Sequence, residues 1–137
     1  MEMMMGPTEF SGCESTEAIA DLIREKTLDK LEEETEFMEK YPNPFYAIMR
    51  LDYLVETPGK GCFDLLVDLY DEKKLIPHLM DVQERAIELM RIEEPRMMKA
   101  WNLTEEMKKE NPQEYRQLMN NLQSVLREIA IKEVVEA

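Results

Sequence analysis

The sequence predicts an all-α fold, an antiparallel bundle of about five to six helices that ends in one long C-terminal helix. Three observations lead to this prediction. The 137 residues include twelve methionines but only four glycines, a composition that favours helices over sheets. Apolar residues recur at steps of three and four, and no segment alternates apolar and polar residues with β-branched enrichment over the length of a strand. The connections are short, so neighbouring helices are expected to lie antiparallel.

The C-terminal segment 111–135 carries the strongest helix signal. Asn111 is predicted to be the N-cap, with Pro112 at the first helical position and Glu114 completing a capping box. Apolar residues then recur every three or four positions as far as Ile129. Such a helix of roughly 24 residues is about 35 Å long. Its apolar face requires other helices to cover it.

Composition divides the chain into two parts. Residues 1–12 contain methionine, glycine and proline without a period, and we expect a disordered lead there. Residues 13–137 are enough for one hydrophobic core, so we expect a single helical domain. Its first helix is acidic and is predicted over residues 13–40, beginning after Ser11 or Ser15.

Prolines mark the ends of the middle helices. The motif Tyr41-Pro42-Asn43-Pro44 cannot continue a helix, and Asn43 is expected to cap the second one. The side chains of that helix that we expect to face inward are Phe45, Ile48, Met49 and Tyr53. A third helix is predicted from Cys62 to about Lys73. A fourth begins near Pro77, and Pro95 is expected to kink or end it.

The net charge narrows the classes of partner. Thirty acidic residues stand against 17 basic ones, which gives −13 at pH 7. A chain with this charge is repelled by nucleic acid and by anionic membranes, so we expect protein partners and no direct nucleic-acid or membrane binding. No segment approaches the ~18 apolar residues of a membrane span, and residues 1–12 lack the pattern of a signal peptide. A cytoplasmic location is therefore expected.

The sequence identifies no catalytic, cofactor-binding or metal-binding residue. His78 is the only histidine, and Asp81 could accept a hydrogen bond from it, but a histidine beside a first helical turn more often fixes a loop or a cap. Leu75 occupies the position at which a Glu-x-x-His metal motif requires glutamate. The cysteines Cys13 and Cys62 stand in dissimilar settings without further ligands nearby. We expect a protein that is not an enzyme and has no cofactor.

The acidic N-terminal helix has the most distinctive charge pattern. Between Glu14 and Glu39 there are ten acidic residues and three basic ones. Carboxylates follow one another at intervals of four residues at Glu17, Asp21, Glu25, Asp29 and Glu33. Like charges at this spacing destabilise a helix by ~0.2–0.5 kcal/mol per pair, so four pairs cost about 1–2 kcal/mol. The carboxylates are about 6 Å apart and wind slowly around the helix. This row is either a solvated face or a surface that resembles a phosphate strand in sign and approximate spacing.

The C-terminal half resembles the TnpV family of small proteins encoded within bacterial transposons. The residues that carry the resemblance are Lys74-Leu75-Ile76-Pro77-His78-Leu79, Val82, Ala86, Pro95, Leu103-Thr104-Glu105, Met119-Asn120-Asn121 and Glu128-Ile129. It covers about residues 69–135, and the acidic helix departs from the family pattern. The resemblance implies an origin on a mobile genetic element but no biochemical activity that can be carried over.

Two functions follow as hypotheses. In the first, the acidic helix is a DNA mimic that occupies the basic groove of a nucleic-acid-binding protein, such as a transposase or a host-defence nuclease of the kind that anti-CRISPR proteins inhibit. The carboxylates predicted to bind this partner are those of Glu17, Asp21, Glu25, Asp29, Glu32, Glu33 and Glu36. In the second, the chain is a homodimeric structural or accessory factor in transposition. The predicted dimer or register contacts are Leu118, Asn121, Leu122, Val125 and Ile129.

Overall fold

The computed structural model describes residues 15–57, 59 and 61–137. These residues form α-helices and no strand, so the all-α prediction is confirmed. The lead predicted at residues 1–12 lies outside the described residues. By its contacts the chain divides into two compact units, Met1–Asp81 (unit 1) and Val82–Ala137 (unit 2). The expectation of a single domain stays a prediction.

Seven α-helices follow one another along the described chain. They are α1 (Thr16–Glu32), α2 (Thr35–Lys40), α3 (Phe45–Glu56), α4 (Cys62–Asp71), α5 (Leu75–Ala100), α6 (Glu105–Glu110) and α7 (Pro112–Ala130). A π-helical turn, Ile131–Val135, continues α7. The long C-terminal helix therefore extends over the predicted residues.

The prediction of one acidic helix over residues 13–40 is wrong in one respect, because the structure has two helices there. The backbone N–H of Glu33 donates to the carbonyl of Lys30, which tightens the last turn of α1, and Glu34 then leaves the helical region with φ −82° and ψ 82°. Three consecutive glutamates stand at this point, where the negative end of the helix dipole disfavours carboxylates. Charge repulsion at the C-terminal end thus explains the break.

The starts of the predicted helices agree with the structure to within about two residues, the largest difference being at α5, which begins at Leu75 and not near Pro77. Ser15 caps α1 by accepting a hydrogen bond from the backbone N–H of Ala18 at 3.1 Å, as one of the two predicted starts requires. The start of α3 differs, because Pro44 and not Asn43 is its N-cap. Pro95 does not end α5, which continues through it to Ala100.

The core of unit 1 is built from α1 to α4 and the first turns of α5. Its buried side chains are Ala20, Ile23, Leu31, Phe37, Ala47, Leu51, Leu54, Cys62, Leu66, Leu75 and Leu79. Helix α1 contacts both α3 and α4. At the edge of this core Arg24 Nε lies 2.5 Å from Asp52 Oδ1, and this hydrogen bond raises the pKa of Arg24. The ion pair fixes α1 to α3.

The buried face of α3 is not the predicted one. Phe45 is 44% exposed, and the other three side chains predicted to face inward are half-buried. The buried side chains are those of Tyr46, Ala47, Arg50, Leu51 and Leu54. A charged residue, Arg50, interrupts the apolar period on the inner face of α3, so the sequence pattern did not indicate this face.

Thr27 occupies a core position on α1. Its side chain is 1% exposed, and its hydroxyl has no hydrogen-bond partner among the residues that the structure describes. A buried hydroxyl without a partner costs about 1–3 kcal/mol. We therefore expect Thr27→Val to raise the free energy of unfolding by about 1 kcal/mol in urea titrations. The exposed Thr35→Val is the control, and a less stable Thr27→Val protein would contradict the prediction.

Unit 2 has a cluster built from α5, α6 and α7. Its buried residues are Leu103, Leu122 and Leu126. Eight half-buried side chains pack against them, and we call these the methionine surface: Met90, Met97, Met98, Trp101, Met107, Tyr115, Leu118 and Met119. The predicted stripe of α7 therefore faces its own neighbours α5 and α6.

Asn111 joins α6 to α7 in a different way from the predicted capping box. Its backbone N–H donates to the carbonyl of Met107, which makes it the C-cap of α6 as well as the N-cap of α7. Its side chain donates from Nδ2 to Glu114 Oε2 at 2.9 Å and caps no backbone N–H. The prediction of a capping box is therefore wrong. Asn111 serves as a cap of both helices, and this double role fixes its backbone at φ −141° and ψ 68°.

Candidate partner-binding surface

The structure places all seven predicted partner-binding carboxylates at the surface. We call these residues the acidic surface: Glu17, Asp21, Glu25, Asp29, Glu32, Glu33 and Glu36 are each exposed. The first five lie on α1, Glu33 follows it as C-cap, and Glu36 lies in the first turn of α2. The break between α1 and α2 therefore divides the acidic surface but buries none of it.

The helix period explains how the row lies relative to the core. The buried face of α1 is formed by Ala20, Ile23, Thr27 and Leu31. At ~100° per residue, Glu17 is about 75° from the centre of that face and Asp29 is on the opposite side of the helix. The row thus starts beside the core and winds outward. Packing of α1 against its neighbours leaves every carboxylate of the row in solvent.

Basic residues of the same helix neutralise the row only in part, through the electrostatic attraction between Arg24 and Asp21. Arg24 is held by Asp52 of α3, and Lys26 is half-buried, while Lys30 is exposed. Within the described chain, none of the seven carboxylates forms an ion pair at 4 Å or less. The repulsion along the row is consequently not relieved by close contacts.

The charge is unequally divided between the two units. Unit 1 contains 19 acidic and 8 basic residues, a net charge of −11, whereas unit 2 contains 11 acidic and 9 basic residues, a net charge of −2. Most of the electrostatic field of the protein therefore originates from the unit that carries α1. A positively charged partner would be attracted to that unit first.

The amino-acid sequence matches the family model described as transposon-encoded protein TnpV over residues 29–135. The chain belongs to the TnpV family. The match covers most of the chain and begins well before the resemblance at residues 69–135, so it includes the end of α1, α2 and the middle helices of this TnpV chain. Glu17, Asp21 and Glu25 precede the match. No curated protein and no solved structure matches the sequence.

The site around His78 in this TnpV chain is a contact between two helices. Arg50 of α3 is 5% exposed, and its Nε donates a hydrogen bond to His78 Nε2 on α5 at 3.2 Å. An imidazole nitrogen that accepts a hydrogen bond carries no proton, so this contact requires neutral His78 with its proton on Nδ1. The Arg50 guanidinium also lies 5.8 Å from the ring centre of Tyr53. Sequence reasoning missed Arg50, because a lone arginine between apolar residues gives no signal of burial.

The described part of the chain offers no cluster of three or more His, Cys, Asp or Glu side chains that could hold a metal ion. Cys62 is a buried free thiol that accepts a hydrogen bond from Thr57 Oγ1 at 3.4 Å, and Cys13 lies outside the described residues. None of the helices described is both long and apolar enough to cross a membrane.

The predicted dimer contacts on α7 have different environments. Leu122 is fully buried in the core of unit 2, whereas Leu118, Val125 and Ile129 are half-buried and Asn121 is exposed. Asn120 is exposed too, and neither asparagine side chain bonds to another helix in the described structure. A second copy could thus reach only part of the predicted set, and dimerisation through this face stays a prediction.

Proposed function

We propose that this TnpV chain is a non-enzymatic interaction protein of a mobile genetic element, and that its acidic surface occupies the basic nucleic-acid-binding groove of a protein partner. A host-defence nuclease, of the kind that anti-CRISPR proteins inhibit, is the partner class that suits an element under attack. The observation that carries the proposal is the exposure of seven carboxylates that form no ion pair within the described chain. Carboxylates would meet the Lys and Arg side chains that otherwise hold phosphates.

The energetics of α1 favour a binding role for the row over simple solubility. Repulsion at i,i+4 costs about 1–2 kcal/mol in the free protein. Basic side chains of a partner would remove this repulsion on binding. The free energy of binding would then be more favourable by a similar amount. The net charge of unit 1 would also accelerate capture of a basic partner and make the affinity fall as salt rises.

The test is capture of partners from a bacterial lysate by the immobilised protein at about 50 mM and about 500 mM salt. The variant carries Lys in place of Asp21, Glu25, Asp29 and Glu33. Four exposed charge contacts contribute roughly 3 kcal/mol together, so we expect the variant to bind its partner about a hundredfold more weakly. Mass spectrometry then identifies proteins that wild type captures at low salt alone.

A matched control carries the same change of charge at another exposed part of unit 1. Asp64, Asp68 and Asp71 of α4 and Glu72, which follows this helix, are all exposed and are replaced by Lys. The proposal requires this control to capture the partner far better than the α1 variant does. Equal capture by both variants, or capture that does not change with salt, would show that the acidic surface is a solvated face.

A further inference from the structure

The start of α5 places an imidazole against a buried cation. Nε2 of His78 accepts the hydrogen bond of Arg50 Nε at 3.2 Å, and both residues belong to unit 1. The Arg50 side chain is 5% exposed, and its guanidinium also lies 5.8 Å from the ring centre of Tyr53. A guanidinium keeps its charge at any physiological pH. Of the two side chains in this contact, only the imidazole can change its charge between about pH 5 and pH 8.

Protonation of His78 would break this contact for three reasons. An imidazolium carries a proton on both nitrogens, so Nε2 can no longer accept a hydrogen bond. The ring would also bring a second positive charge next to the buried Arg50 guanidinium. Finally, His78 lies at the end of the first turn of α5, where the positive end of the helix dipole disfavours a cation and no acidic residue is present.

The other charged residues near this turn oppose these effects only weakly. The end of α4 and the link to α5 contain two acidic and two basic residues, Asp71, Glu72, Lys73 and Lys74, and so add no net charge. On α3, Asp52 forms its ion pair with Arg24 of α1. Asp81 follows His78 by three residues and would attract a protonated ring, but Asp81 is exposed to solvent, which weakens the attraction. The net charge of −11 of unit 1 acts in the same sense and is screened beyond ~8 Å at physiological salt.

We propose that the Arg50–His78 contact makes unit 1 sensitive to pH, because it joins α3 to α5 while His78 is neutral and is released once the ring takes up a proton. An unfolded chain takes up a proton at histidine near about pH 6.5, whereas the folded contact holds the neutral ring. The unfolded state therefore binds more protons below this pH, and folding stability falls as the pH falls. This inference does not depend on the proposed function, because it concerns no residue of the acidic surface.

The first test is urea unfolding of the intact protein at about pH 7.5 and about pH 5.5, followed by circular dichroism. His78 is the only histidine of the chain, so the result reports on one imidazole. Between these pH values we expect the unfolding equilibrium constant of wild type to rise about fivefold more than that of His78→Gln, which corresponds to ~1 kcal/mol. The glutamine oxygen can accept the Arg50 hydrogen bond at both pH values, so this variant accounts for the titration of the carboxylates. An equal change in both proteins, or a wild type that gains stability relative to the variant in acid, would overturn the proposal.

The second test is nuclear magnetic resonance of wild type and needs no variant. The single imidazole gives one set of ring signals in a long-range ¹H–¹⁵N correlation spectrum, which distinguishes the two neutral tautomers from the imidazolium. At about pH 7.5 we expect the neutral ring with its proton on Nδ1, because Nε2 accepts from Arg50. As the pH falls, the Arg50 Nε–H signal is expected to shift together with those of the ring. The control is the same protein unfolded in urea, whose ring is expected to take up the proton at a higher pH. A proton on Nε2 at neutral pH, or a folded ring that takes up its proton as readily as the unfolded one, would contradict the proposal.

Discussion

Replacement of Leu122 by alanine is expected to lower the free energy of unfolding of unit 2 by about 3 kcal/mol. The Leu122 side chain is fully buried on α7, where it packs with Leu103 and Leu126. Truncation removes the transfer free energy of the lost carbons and leaves a cavity that the neighbours fill only in part. Because this cluster has only three buried leucines, one of them is a large share of it.

Fluorescence of Trp101, the single tryptophan of the chain, reports on this cluster in a urea titration. Ile92→Ala on α5 is the control, since the Ile92 side chain is 40% exposed and its truncation should change the stability by less than about 0.5 kcal/mol. If Leu122→Ala changed stability as little as the control, the packing of α7 against α5 and α6 described above would be incorrect.

Removal of the imidazole at position 78 is expected to have the second largest effect on stability. His78→Leu takes away the acceptor of the Arg50 Nε hydrogen bond, and loss of one partner of a buried charged group costs about 2 kcal/mol. His78→Gln, whose side-chain oxygen can accept the same hydrogen bond, is expected to retain about half of that stability. The measurement is urea unfolding followed by circular dichroism.

The double variant Arg50→Met with His78→Leu separates this contact from general loss of packing. Removing both polar partners should cost less than the two single changes combined, because neither group is then left without the other. Strictly additive effects of the two single changes would show that Arg50 and His78 do not stabilise each other.

The existence of the helices could be predicted from the sequence, because the apolar period and the prolines determine the conformation of nearby residues. The extent of the C-terminal helix, the start at Ser15 and the break around Pro42 all follow from residues within one or two turns. The stop at Glu33 was missed although its cause, consecutive glutamates at a helix end, is also local. The glutamates were interpreted as part of a binding surface, and their destabilising effect on the end of α1 was overlooked.

The faces of the helices were less predictable, because burial depends on partners far away in the chain. Arg50 is buried and donates a hydrogen bond to His78, 28 residues later in the chain. No local sequence pattern predicts such a pair. The acidic surface is a second case. The sequence left open whether its carboxylates are exposed or packed against basic residues of the same chain, and the structure exposes all seven of them. What the surface binds depends on a second molecule and stays a proposal.

The end of α1 at Glu32 sets the length of nucleic acid that the regular row could imitate. From Glu17 to Asp29 the helix advances about 18 Å, which corresponds to roughly five base pairs of a duplex at 3.4 Å each. That is half a helical turn. A protein that must contact a full turn or more before it holds DNA would be blocked over only part of its footprint, whereas one that grips a short stretch beside its active site would be fully occupied.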